Sequence, residues 1–217
     1  MDKKITPIVR RLVSSSAAMG VTPPEEITYQ HTVLCQTCLP YRDPGNSVRR
    51  WERKQGHVHL LVNAGEALNP EENRYVELGL PCGPKARIAM MHLNALAIKT
   101  QSPTIEVEDS LTAFVKRLGL AGHGRDIRIV KDQLSRLSAA TIRLAVTRDD
   151  RAFQINTQIV TAFDLWFPKD DRQRVLWPST VRLSEEYFQS LARHAVPLNE
   201  DAIAALSHSA MSLDVYA

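Results

Sequence analysis

Between Ile105 and Asn156 the apolar positions first alternate, then recur at helical spacing, then alternate again. IEVE (Ile105–Glu108) has strand period, and Asp109 and Ser110 behind it suit a helix N-cap. Leu111, Phe114, Val115 and Leu118 follow at i, i+3, i+4 and i+7, one face of a helix, and Gly119 stands where a C′ glycine closes such a helix. A turn holding Gly122 and Gly124 leads to a second helix, Arg125 to about Ala139, with Ile127, Val130, Leu134 and Leu137 on one stripe. Ile142-Leu144-Val146 and Phe153-Ile155 then alternate on either side of Arg148-Asp149-Asp150-Arg151, a β-hairpin with a charged tip. Strand, helix, turn, helix, hairpin is the element order of a winged helix-turn-helix.

The rest of the chain arranges itself around that unit. Residues 1–28 form a basic N-terminal arm, with a short helix around Pro7–Met19 and a breaker at Thr22-Pro23-Pro24. Residues 29–80 read as a small antiparallel β-region packing on the next domain. Its strands are Tyr29–Leu39, His57–Asn63 and Tyr75–Leu80, separated by turn residues such as Asp43-Pro44-Gly45-Asn46. The winged-helix domain occupies 81–208. Pro84 opens its long, mostly apolar first helix from Lys85 to about Thr100. Past the hairpin a strand runs over Thr161–Phe167 and another ends at Leu183. Ser184 caps one helix and Asn199 another, each with two acids in the first turn. Residues 209–217 start a further helix that stops at Ala217, the expectation being a truncated chain whose second domain is missing. The fold class is therefore α+β.

Charge adds a direction. The chain as a whole carries a net charge of only +3, with 44% apolar and 24% charged residues, an ordinary globular composition. Within Arg125–Arg151, however, seven Lys/Arg stand against four Asp. With the apolar stripe of the second helix buried, Arg128, Lys131, Asp132 and Ser135 lie on its outer face, Arg125 at its start and Arg136 on its flank. These are side chains that reach base edges or phosphates from a helix in a major groove. Arg148 and Arg151 bracket the hairpin tip, where a wing meets the backbone. These eight residues are the candidate DNA-binding set. Three cysteines point to a reducing cytoplasm rather than a disulfide framework, and no apolar run approaches the length of a membrane span.

Several blocks resemble the plasmid-encoded RepA replication-initiator family. They are Tyr29-Gln30-His31-Thr32-Val33-Leu34-Cys35-Gln36, Leu80-Pro81-Cys82-Gly83-Pro84-Lys85-Ala86-Arg87, Leu176-Trp177-Pro178, Leu183-Ser184-Glu185-Glu186-Tyr187-Phe188, His194-Ala195-Val196-Pro197-Leu198 and Ser212-Leu213-Asp214-Val215-Tyr216-Ala217. The resemblance implies an initiator that recognises repeated sites in the double-stranded DNA of a plasmid origin. It also implies self-association as a homodimer and contacts with host replication initiator and helicase proteins.

Competing chemistry is thin. Cys35-x-x-Cys38 with Cys82 and nearby histidines invites zinc, but the pair falls on the predicted strand, where i and i+3 point to opposite faces. His57-Val58-His59 puts two imidazoles on one strand face, and with Tyr187 as nucleophile this is the pattern of a rolling-circle nickase. No acidic third ligand accompanies it. Asp149-Asp150 and Asp170-Asp171 are explained by turns, and no phosphate-binding glycine loop occurs. The expectation is a binding protein with no catalytic residue, metal or cofactor. A winged-helix transcriptional regulator and a dimerisation module that no longer touches DNA are the rivals among binding proteins.

Overall fold

The computed structural model describes residues 9–10, 13–14, 16–17, 26–69, 72–108, 110–148, 151–164 and 180–217. The predicted arm helix falls almost wholly outside the described residues, apart from six helical positions. So do the end of the Thr161–Phe167 strand and the stretch with Asp170-Asp171 and Trp177-Pro178. The fold is a mixed α+β arrangement of helices and small antiparallel sheets around a core that runs from Val33 to Leu213.

Helix α2 (Gly83–Thr100) is the axis of that core. A helix apolar on all sides has to be covered on all sides, and Ala86, Ile88, Ala89, Met90, Met91, Leu93 and Ala97 are all buried. It starts two residues ahead of the predicted Lys85, with Pro84 in its first turn, and ends where Gln101 turns left-handed at φ 53°. Strands β1 (Ile27–His31) and β11 (Ala195–Asn199) pair antiparallel beside it. Thr28 Oγ1 donates to the Met91 carbonyl, and Asn94 Nδ2 donates to the Tyr29 carbonyl.

Where a strand is predicted over Tyr29–Leu39, the chain leaves β1 at His31 and coils into α1 (Thr32–Gln36). Two local hydrogen bonds hold the coil: His31 Nδ1 accepts from the Val33 N–H, and the Thr37 hydroxyl donates to the Val33 carbonyl. Burial of Val33 and Leu34 outweighs the β propensity of the stretch.

A four-stranded antiparallel sheet has the order β2 (Arg50–Gln55), β3 (Val58–Asn63), β7 (Thr141–Arg148), β8 (Arg151–Gln158). The alternation foreseen for Ile142-Leu144-Val146 is present, with Ile142 and Leu144 buried beside Val58, Leu60 and Val62 of the expected apolar strand. A separate hairpin joins β4 (Glu66–Asn69) to β5 (Arg74–Glu77), shorter than the predicted Tyr75–Leu80 strand. The short strand β6 (Thr104–Glu106) does not join the β7–β8 hairpin. It pairs with β10 (Thr180–Leu183), which in turn pairs with β9 (Val160–Asp164). Helices α3 (Leu111–Arg117) and α4 (Gly124–Ala139) lie between the two sheets in sequence, and α5 (Glu185–His194), α6 (Glu200–Leu206) and α7 (Ala210–Tyr216) follow. Ser110, Ser184 and Asn199 cap the helices expected of them, and Ser209 caps the one expected to begin there, each side-chain oxygen accepting a backbone N–H three residues on.

Gly65 passes so close to the end of α4 that a Cβ there would sit 1.9 Å from the Ala139 carbonyl oxygen. The obstacle is backbone, which cannot rotate aside. Gly65→Ala is expected to cost about 1–3 kcal/mol as overpacking, read as a Tm lowered by several degrees.

His31 is 2% exposed and caps α1 through Nδ1, so its proton resides on Nε2, which donates to Ser190 Oγ at 2.9 Å. Burial, with a smaller push from the neighbouring His194, lowers its pKa from 6.5 to about 4. The unfolded chain therefore binds this proton more readily than the folded one between those values. The stability that His31 contributes is complete above about pH 6.5 and falls as the pH drops towards 4, by at most roughly 3 kcal/mol. Urea unfolding between about pH 7 and about pH 4.5 is expected to record that loss, and His31→Asn, which keeps a cap, is expected to flatten it.

Candidate nucleic-acid interface

Phe114 and Val115 anchor α3 in the core, and Gly119 at φ 73° turns the chain out of it. Gly122, also left-handed at φ 72°, bends the link into α4. α4 then buries Val130, Leu134 and Leu137 of the predicted stripe, with its first member Ile127 half-buried against the core, together with the polar Gln133. Gln133 is satisfied by its neighbours, its Oε1 accepting the Cys82 N–H at 2.8 Å. Lys85 approaches Asp126 at 3.9 Å, linking the first turns of α2 and α4.

The candidate residues on α4 separate into two groups. Arg125 and Arg128 are exposed, and Lys131 is half-buried on the next turn of the same side. Arg136 belongs to the interior: its side chain is 11% exposed and meets Asp43 Oδ2 at 2.9 Å and Asp132 at 3.0 Å. It also donates to the Leu80 carbonyl. Gly79 leaves it room, since a Cβ there would lie 2.8 Å from the guanidinium. Burial works against the charge on Asp43, but the Gly45 N–H and Arg136 outweigh it and hold the carboxyl below its ordinary pKa. Asp132 is engaged in the same clamp, and its Oδ2 also accepts from Gln133 Nε2. The Ser135 hydroxyl donates to the Lys131 carbonyl of its own helix. Arg148 and Arg151 are the last paired positions of the β7–β8 hairpin, directly opposite each other. Asp149 and Asp150 between them lie outside the described residues.

The sequence pattern did not point to a further basic surface on the four-stranded sheet. Directly opposed residues of neighbouring strands share a face. Opposite the side of Val58, Leu60 and Val62 therefore stand Arg50, Glu52 and Lys54 of β2, His59 and Leu61 of β3, Arg143 of β7 and Asn156 of β8, with Arg50 paired to Glu52 at 2.9 Å. Arg143 Nε donates to Asn156 Oδ1. The alternation Arg50-Glu52-Lys54 was the available signal, but with Trp51 as its one aromatic the stretch reads as a basic segment rather than a strand.

The rival chemistries find no such support. Tyr187 is fully buried, its hydroxyl donating to Asn94 Oδ1 at 3.1 Å, and burial drives its pKa upward. A phosphodiester cannot reach it. His57 lies in the turn before β3, while His59 is on the outer sheet face. The three cysteines are free thiols; burial pushes Cys35 up to about 11 and raises Cys82 as well. Among the described residues no group of three or more His, Cys, Asp or Glu could hold a metal ion. No helix among them is long and apolar enough to cross a membrane.

This mixed α+β arrangement resembles a crystal structure of selenomethionine derivatives of domains 2 and 3 of RctB. The TM-score is 0.52 at 8% identity, over 86% of this chain and 66% of that one. A second crystal structure of RctB domains 2–3 aligns with a TM-score of 0.47 at 9% identity, over 74% of this chain and 58% of that one. The chain thus spans slightly less than two thirds of the first crystallised chain. No curated protein matches the sequence. The family model described as plasmid encoded RepA protein matches residues 81–217, from the segment ahead of α2 to the last residue. The chain belongs to the plasmid-encoded RepA replication-initiator family.

The two groups of cations on α4 predict unequal stability effects. Arg136→Ala strips two carboxylates and a carbonyl of their shared donor and is expected to cost about 1–3 kcal/mol. Arg125→Ala and Arg128→Ala are expected to stay within about 0.5 kcal/mol of the parent. Thermal or urea unfolding of the three variants distinguishes the interior cation from the surface ones.

Proposed function

We propose that this chain binds the double-stranded DNA of repeated sites in a plasmid origin, α3 and α4 acting as a helix-turn-helix and the β7–β8 hairpin as its wing. The observation that carries the reading is the placement of α4. Its apolar stripe is fixed against the core, which leaves Arg125 and Arg128 exposed with the half-buried Lys131 on the next turn, and the hairpin ending in Arg148 and Arg151 follows in sequence. Membership of the RepA family supports replication initiation as the setting. Self-association and contacts with host replication initiator and helicase proteins belong to the same reading. In it Arg136, Asp132 and Ser135 set the orientation of α4, while the outer cations meet the DNA. Lys54 and Arg143 on the sheet extend the basic surface available to phosphates.

The test is a mobility-shift titration of the purified chain on origin repeats and on scrambled duplex. Arg128→Ala is expected to cost about 1–3 kcal/mol and to relax preference at one base position, as a base-reading arginine does. Lys131→Ala is expected to weaken binding evenly across sequences. Neutralising Arg148 and Arg151 together is expected to lower the salt slope by about 2. If Arg128→Ala and Lys131→Ala leave DNA affinity unchanged and shift the monomer–dimer balance instead, this unit is an assembly element and the proposal fails.

A further inference from the structure

On the inner face of the four-stranded sheet a groove of about 850 Å³, lined by no residue of α4, opens between the sheet, α1 and α5. Its floor is apolar: Val58, Leu144, Val146, Phe153 and Ile155 line it from three strands. Phe153 is 55% exposed although its register partner is Val146 and its strand neighbour Ile155 is buried. An aromatic left in water above an apolar floor marks a contact surface rather than a solvated face. The rim is basic. Arg193 and His194 project from the end of α5 and His57 from the β2–β3 turn. Among the described residues no aspartate or glutamate lines the groove and no carboxylate pairs with Arg193.

We propose that this groove receives a short acidic segment of a partner protein, whose one or two bulky apolar side chains seat against Phe153 and Val146 while its carboxylates meet Arg193 and the rim histidines. The composition of the groove selects this occupant over others. Nucleic acid would satisfy the rim but would place phosphates over an apolar floor. The chain's own N-terminal arm has the wrong sign, with Lys3, Lys4, Arg10 and Arg11 against Asp2 alone in residues 1–20. A segment with carboxylates around apolar anchors matches floor and rim together. The proposal stands on the groove alone and does not depend on DNA binding by α4.

The test uses a short fluorescein-labelled peptide with leucine and phenylalanine anchors spaced among glutamates, and a second peptide with lysine in place of every glutamate. Fluorescence anisotropy with the full chain is expected to detect the glutamate peptide and not the lysine one. Phe153→Asp and Arg193→Glu both alter exposed side chains, so circular dichroism should show an unchanged fold. Each is expected to weaken the glutamate peptide about tenfold or more, the loss of roughly 1.4 kcal/mol. Arg193→Glu is expected to leave affinity for origin duplex as in the parent. The proposal is overturned if the glutamate peptide does not bind, if the lysine peptide binds equally well, or if the variants bind like the parent. It is also overturned if Phe153→Asp abolishes a dimer seen by sedimentation, which would give the groove to a second copy, or if Arg193→Glu lowers DNA affinity.

Discussion

The guanidinium of Arg87 is almost wholly withdrawn from water, 2% exposed in the middle of the core, and the rest of the fold closes around the groups that satisfy it. Nε and Nη2 donate to the two oxygens of Asp214 at 2.6 and 2.7 Å. Nη1 donates to the carbonyls of Gly83 and Pro40, and Nη2 also to that of Leu39. Arginine has five N–H donors, and these five contacts account for them. A buried cation missing its partner costs several kcal/mol, so α2, the 39–40 segment and α7 cannot separate without a large loss. The pair sets geometry more than it adds stability, because desolvating both charges offsets much of their attraction.

That constraint reaches α4 through a short path. Gly83, held by Arg87, follows Cys82, whose N–H is accepted by Gln133 of α4. Leu80, just ahead, accepts from Arg136 of the same helix. The Leu80–Gly83 segment is thus bound on one side by the buried ion pair and on the other by α4. The direction in which Arg125, Arg128 and Lys131 point is a consequence of packing around Arg87, far from their own charges. The stretches that resemble the RepA family fall on these junctions. Leu80–Arg87 and Ser212–Ala217 are joined by the Arg87–Asp214 pair, and Tyr29–Gln36 and His194–Leu198 contain paired residues of β1 and β11.

Local signals were legible where they are decided locally. Caps at Ser110, Ser184, Asn199 and Ser209, the closing turn at Gly119 and the stripe of α4 follow from a few adjacent residues. Contacts distant in sequence were not. The pairing of β3 with β7 joins residues some eighty positions apart, and β6 pairs with β10 rather than with the hairpin. α1 displaced a predicted strand because a histidine caps it, a role that histidine's ordinary preferences do not announce. On α4 the sequence could place Arg136 on the flank, but not disclose Asp43 beside it, contributed by a turn ninety-three residues earlier.

The same distant pairing bears on how the hairpin would meet a ligand. A free two-stranded hairpin is marginally stable in water, and a basic tip on one would lose conformational freedom on binding. Here β7 is flanked by β3 along its length, from Thr141 opposite Asn63 to Val146 opposite Val58. The Thr147 N–H donates to the His57 carbonyl one residue further on. Support therefore reaches the residue before Arg148, and the tip is carried on a four-stranded sheet. β2 and β3 precede the segment that matches the family model, yet they complete the sheet to which the hairpin belongs. If the hairpin acts as the wing proposed above, its pairing with β3 is part of what fixes the backbone positions of Arg148 and Arg151 at its end, and less ordering is then left to binding.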